Sequence, residues 1–281
     1  MQGASLTAVM TAMGRGAHHF MDPDPIFSDP YALALADKTE ANAIELLNVS
    51  GEHLRHVGRL FVCQRSRFVE EAVERAVSDG VDQFVDLGAG LSSFAWRRTD
   101  LMKALNLFEV DHPKSQAFKR ERVDAIGLSY PSNMHFVAVD FTADDSLADS
   151  LAAAGFDASK PSIWSWLGVV HYLSIEAVRA TLTEVAGLSA PGSMLILTFG
   201  VPDEFMEPAS REFSYIVREV VAQAGEPQIT WLPPAEMEAI AWDAHWRQVR
   251  SVDPASLWPW FAGRSDGLEP VRYEWLLVAE N

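Results

Sequence analysis

The stretch QFVDLGAGLSSFAWRR, residues 83–98, decides how the rest of the chain is read. Apolar and β-branched residues run into Gly88-Ala89-Gly90, and a helix-compatible segment follows. A strand that stops at paired glycines lets backbone approach a ligand closely, because glycine has no Cβ and tolerates positive φ. In the dinucleotide fingerprint a third small residue stands three positions beyond the second glycine, and Ser93 occupies it, so spacing alone leaves a nicotinamide or flavin site open. Glycines also end strands for purely structural reasons.

Working outward, β-rich runs recur at 83–88, 107–111, 135–140, 162–168 and 194–199, separated by helical patterns such as 115–126 and 175–188. The second of these helices stops before Pro191-Gly192. This alternation predicts an α/β fold with a doubly wound, mostly parallel sheet. The runs at 247–253 and 273–280 add two closing strands in an antiparallel edge, seven strands in all. Residues 1–80 carry helical patterns and no strand signal, so they are expected to form an N-terminal helical cap ahead of the domain at 81–281. A helical insertion after the fifth strand, over about 202–227, is expected to roof the site as a lid, with Phe205, Phe213 and Tyr215 lining an acceptor pocket. Trp164 and Trp166 are expected in the core, on opposite sides of the fourth strand.

Composition narrows the partners. With 281 residues, 48% of them hydrophobic, the chain can bury a substantial core. A net charge of −17 repels phosphate backbones and anionic lipid, which disfavours nucleic acid and membrane surfaces. No run approaches the roughly 20 apolar residues of a membrane span, and the first residues lack the pattern of a secretory signal, so a cytoplasmic protein is expected. Cys63 is alone, and His18-His19 and His53-x-x-His56 lack a third ligand, so no metal is expected.

Acidic residues sharpen the glycine signal. Asp111 ends the second strand, 21 residues after Gly90, where a doubly wound site places a carboxylate against ribose hydroxyls. Asp140 ends the third strand with Phe141 behind it, an acceptor for an adenine amino group and a ring to pack on its face. Carboxylates in such places also cap helices.

The segments FVDLGAGLSSFAWR, FEVDHPKSQAFKRERV, FVAVDFTADD and YLSIEAVRATLTEVAGLSAPGSMLILTF resemble the leucine carboxyl methyltransferase-like family of S-adenosylmethionine-dependent O-methyltransferases, whose bacterial members include polyketide-tailoring enzymes. DPDPIFSDPYA, CQRSRFVEEAV and WFAGRSDGLEP extend the resemblance over most of the chain. It implies a class I, Rossmann-like methyltransferase fold and S-adenosylmethionine as cofactor. By the same resemblance Arg65 holds the cofactor carboxylate, Gly88, Ala89 and Gly90 lie beneath its methionine portion, Asp111 meets the ribose, and Asp140 and Phe141 meet the adenine. A planar guanidinium suits the first role, since it forks onto a carboxylate in two parallel hydrogen bonds. Without the resemblance, Arg65 would read as a surface arginine on a charged helix face.

The chain departs from the family pattern at Leu167, which stands where a glutamate receives the cofactor's ammonium group. His171, just beyond the fourth strand, is the candidate general base for a hydroxyl acceptor, with a backbone-bonding role as the alternative. The expected activity is O-methylation of a carboxylate or hydroxyl on a small molecule of secondary metabolism. The rival reading, prompted by Leu167, is a protein that keeps the cofactor but acts as another tailoring catalyst or a scaffold. A nicotinamide-dependent oxidoreductase is a further rival, weakened by the lack of a Tyr-x-x-x-Lys pair. Oligomeric state is not legible.

Overall fold

The strand read first, β1 (Gln83–Leu87), lies at the centre of the sheet in a computed structural model that describes residues 5–140 and 146–281. It pairs in parallel with β2 (Asn106–Asp111) on one side and β4 (Ile163–Trp166) on the other. Beyond these lie β3 (Met134–Ala138) and β5 (Met194–Gly200), both parallel to their neighbours. The last strand, β7 (Glu274–Glu280), inserts antiparallel between β5 and β6 (Gln248–Val252). The order is therefore β3-β2-β1-β4-β5-β7-β6. All seven strands fall within a residue or two of the runs expected from the sequence.

Ten α-helices surround the sheet among the described residues. They are α1 (Leu6–Met21), α2 (Ala32–Leu35), α3 (Glu40–Val49), α4 (Arg55–Ser78), α5 (Phe94–Arg97), α6 (Pro113–Ala125), α7 (Leu147–Ala153), α8 (Ile175–Gly187), α9 (Pro208–Gln223) and α10 (Pro234–Asp243). Several starts are written in the sequence. Ser5, Ser146 and Ser174 accept a backbone N–H two or three residues on, as N-caps do, while α6, α9 and α10 begin on proline, whose missing N–H costs nothing there.

Each face of the sheet buries its own core. Val85, Leu87, Val110, Leu195 and Leu197 point toward α7, α8 and α10. Phe84, Leu107, Ile163, Ile196 and Leu276 point the other way, onto α4, α5 and α6. Trp164 and Trp166 are fully buried in the first of these cores. The expectation that they face opposite sides is therefore corrected, because residues two apart along a strand share a face. A third cluster joins the first half of α4, through Val57, Leu60 and Cys63, to Phe213, Val217 and Val221 of α9. The second half of α4, through Val69, Ala72 and Val73, belongs to the sheet's covering layer. Among the described residues no helix is long and apolar enough to cross a membrane.

Candidate active site

Two cavities open at the carboxyl edge of the parallel strands. The larger, about 730 Å³, is lined by the β1 turn, the ends of β2, β3 and β4, and α1 above them. The turn is built on positive φ, 69° at Gly88 and 49° at Gly90. Val169 crowds Gly88 from the β4 side, so that a Cβ there would lie 2.5 Å from the Val169 Cγ2. Only glycine fits this turn. The N–H groups of Gly88 and Ala89 donate to the Val110 carbonyl at 2.8 and 3.2 Å, which ties the turn to β2.

Asp111, at the end of β2, locks the same turn. Its two carboxylate oxygens accept the Gly90 N–H at 2.6 Å and the His112 N–H at 2.7 Å. The same residue lines the cavity. Asp140 also lines this cavity, with the His112 Nε2 at 3.5 Å from its carboxylate. Phe141 lies outside the described residues. The sequence did not single out Asp86, which lines the cavity from next to the carboxyl end of β1. Burial raises its pKa, opposed by the hydrogen bond from the Ser165 hydroxyl at 2.6 Å. A lone carboxylate inside an apolar strand was the signal available for it.

Arg65 projects from α4 one turn before Val69, and so leans over the end of β4. There Gly168 has φ 70°, and a Cβ on it would meet the guanidinium at 2.7 to 3.0 Å. Leu167 lines the same cavity and packs against the core beneath α4. It brings no carboxylate.

The second cavity, about 110 Å³, is more apolar. Met10, Leu47, Phe61, Phe213, Val217 and Val221 are among its walls, and it shares Thr7, Thr11, Arg65, Gly168 and Tyr172 with the first. Phe213 lines this second cavity, whereas Phe205 and Tyr215 line neither of the two. Phe205 packs edge-on against Trp275. Tyr215 is exposed and bonds the Asp203 carboxylate, because α9 turns its Phe213-Val217-Val221 face inward and position 215 falls outside that stripe. His171 lines the second cavity and is buried beside the Trp231 ring. Burial, aided by the nearby Arg65 charge, pushes its pKa down to about 3. His171 is neutral at physiological pH and a very weak base.

The roof of the larger cavity is α1, which contributes Thr7, Ala8, Thr11 and Arg15. Its first turn is fastened by Glu226, which follows α9 and accepts the N–H groups of Leu6 and Thr7 at 3.2 and 3.1 Å and the hydroxyls of Ser5 and Thr7. A carboxylate at a helix N-terminus is favoured by both its orphan donors and its dipole. Three of the other histidines singled out by the sequence have side-chain partners, His19 with the Ser28 hydroxyl at 2.8 Å among them. His18 bridges Asp22 and the Ile26 N–H, Asp22 is clamped by Arg59, and His53 meets Glu212 at the surface. Among the described residues no group of three or more His, Cys, Asp or Glu side chains could hold a metal ion.

Residues 8–186 match the sequence model of the leucine carboxyl methyltransferase family. The chain belongs to this family. As a member of the leucine carboxyl methyltransferase family it is an S-adenosylmethionine-dependent methyltransferase, in keeping with its relatives. A candidate S-adenosyl-L-methionine-dependent methyltransferase of Parafrankia is 34% identical over 91% of this chain and 80% of its own. A counterpart from Bacillus subtilis is 29% identical over 84% of each. Among solved structures, a candidate methyltransferase from Thermobifida fusca shares the fold with a TM-score of 0.63 at 19% identity, covering 100% of this chain and 96% of the other.

Proposed function

We propose that this leucine carboxyl methyltransferase family member transfers a methyl group to a carboxylate oxygen of a small apolar acid, with secondary metabolism as its setting. In this reading S-adenosylmethionine occupies the larger cavity and the acceptor enters the adjoining apolar one. When bound, the cofactor supplies an electrophilic methyl group on a sulfonium whose electron pair departs with the sulfur. The chain's own part is to bind, align and dry the two reactants.

The larger cavity suits the cofactor in size and in donor set. Gly88 to Gly90 leave room for close approach, Asp111 at the cavity wall is assigned to the ribose hydroxyls, and Arg65 offers a guanidinium to the amino-acid carboxylate. Asp140 is assigned to the adenine edge. Leu167 leaves the ammonium without the expected partner on β4, and Asp86 and Glu226 are carboxylates that line the same cavity. Replacing Asp111 by alanine is expected to weaken S-adenosylhomocysteine by about ten- to a hundredfold, the loss of a charge-assisted pair of hydrogen bonds. Calorimetric titration of the folded variant checks this, and unchanged affinity rejects the assignment.

One observation favours a carboxylate over a hydroxyl acceptor: the apolar cavity holds no competent base. His171 titrates near 3, and burial raises the pKa of Tyr172 and of Tyr273, so all three stay neutral at physiological pH. A phenol with pKa near 10 needs a proton acceptor, whereas a carboxylic acid arrives already ionised. His171 is therefore read as a wall of the pocket. Incubation with methyl-labelled S-adenosylmethionine and matched pairs of aliphatic or aromatic acids and phenols tests this. Transfer to acids, at a rate flat between about pH 6 and 9, is the expected result. Transfer to phenols alone, or a rate limb near neutrality, overturns it.

A further inference from the structure

Arg65 is held by a partner that neither cavity contains. Its Nη1 donates to both carboxylate oxygens of Glu274, at 2.8 and 3.0 Å, and the two side chains are 8% and 2% exposed. Glu274 opens β7 beside Gly200 of β5, on the sheet face that α4 covers. Thr198, two residues earlier on β5 and fully buried, lies diagonally across from it. The Thr198 hydroxyl oxygen accepts the Gly168 N–H at 2.8 Å and its proton goes to Glu274. Four elements are thereby joined in one chain of bonds, from the Gly168 backbone through Thr198 and Glu274 to the guanidinium.

We propose that Glu274, with Thr198 behind it, is the positioning residue that aims Arg65 into the junction of the two cavities. This rests on the reading that Arg65 receives the cofactor's carboxylate. The guanidinium has five N–H donors in a planar fork, and Glu274 engages only Nη1, so the other edge stays open to a second carboxylate. Arg65 is the cationic residue that lines both cavities with a permanent charge. A buried ion pair is a poor device for stability alone, since well-packed apolar side chains do as well or better. Charge balance gives it a purpose here. Leu167 supplies no carboxylate at the end of β4, and Glu274 supplies one from β7, so Arg65 and Glu274 together are neutral, as is the zwitterionic amino-acid end of the cofactor.

The test compares two ligands that share a nucleoside, S-adenosylhomocysteine and 5′-methylthioadenosine, of which only the first has an amino-acid end. Glu274→Gln is expected to weaken S-adenosylhomocysteine by about tenfold or more and to leave methylthioadenosine within about twofold. Thr198→Val is expected to move the same ratio in the same direction by less. If Glu274→Gln does not fold, Glu274→Asp and Thr198→Val carry the comparison. In an Arg65→Ala background, Glu274→Gln should change the ratio no further. Equal loss of both ligands, or of neither, overturns the positioning role. Wild-type protein that binds neither ligand overturns the cofactor reading itself, and the positioning role with it.

Discussion

Arg65→Ala is expected to lower folding stability by about 3–5 kcal/mol, the largest effect of any single substitution near the site, because it strands the Glu274 carboxylate in the interior without its cation. Burial already raises the pKa of Glu274, and the Arg65 charge is the main influence opposing that rise. Removing both charges is a different matter. The double variant Arg65→Leu, Glu274→Leu buries no unpaired charge and is expected to recover most of the loss. Urea denaturation of wild type, both single variants and the double variant measures the coupling. A loss below about 1 kcal/mol in Arg65→Ala would mean that water reaches Glu274.

Acid sensitivity at His171 is the second large expectation. Its pKa is about 3 in the folded chain and near 6.5 when unfolded, so the unfolded state takes up the proton first as pH falls. The stability that goes with a neutral, buried imidazole is thus complete above about pH 6.5 and is lost progressively toward pH 3. By pH 4 the deficit is about 3 kcal/mol. Glu109 acts in the opposite sense. Burial raises its pKa in spite of the Lys119 ammonium beside it, so its contribution is present at low pH and fades as the pH rises. The wild-type profile is the sum of the two, and the His171 share is visible only by difference. Unfolding free energies of wild type and His171→Leu, measured between about pH 7 and 4, should converge in favour of the variant by about 3 kcal/mol as the pH falls. Parallel curves would show that the imidazole is already protonated or hydrated in the native protein.

The sequence made the sheet legible because the parallel strands are short, mostly apolar and β-branched or aromatic runs, largely buried and bounded by turn residues. The same logic exposed the strand-end groups, Gly88, Gly90, Asp111 and Asp140, since a carboxyl edge can be located once the strands are known. Side chains that reach the site from outside the sheet carried no such signal. Arg65 read from its own surroundings as any polar residue on a charged helix, and only the family resemblance pointed to it; the structure adds its overhang of Gly168. Glu274 and Thr198 sit at ordinary strand positions, and only the antiparallel register of β5 and β7 brings them together. The cavity walls were only partly legible for a related reason: an amphipathic helix such as α9 reveals that it has an apolar face, but not which cavity that face meets, so Phe213 lies on the second cavity while Tyr215 lies outside the apolar face.

The fastening of α1 by Glu226 also bears on the order in which the site is made. The helix is among the first segments of this sequence to be synthesised, and the carboxylate that caps it follows 219 to 221 residues later. At about 5–20 residues per second, roughly ten to forty-five seconds separate the two. During that interval α1 has α3 and α4 to pack against, but the Leu6 and Thr7 N–H groups of its leading turn lack their carboxylate and the strands below it are still being added. The glycine turn, Asp111 and Arg65 all exist before the roof can be pinned, and β7 with Glu274 arrives later still. A nascent chain interrupted before residue 226 therefore carries the glycine turn, Asp111 and Arg65 without the carboxylate that fastens α1 over them, so the pinned roof depends on a residue in the last fifth of the sequence.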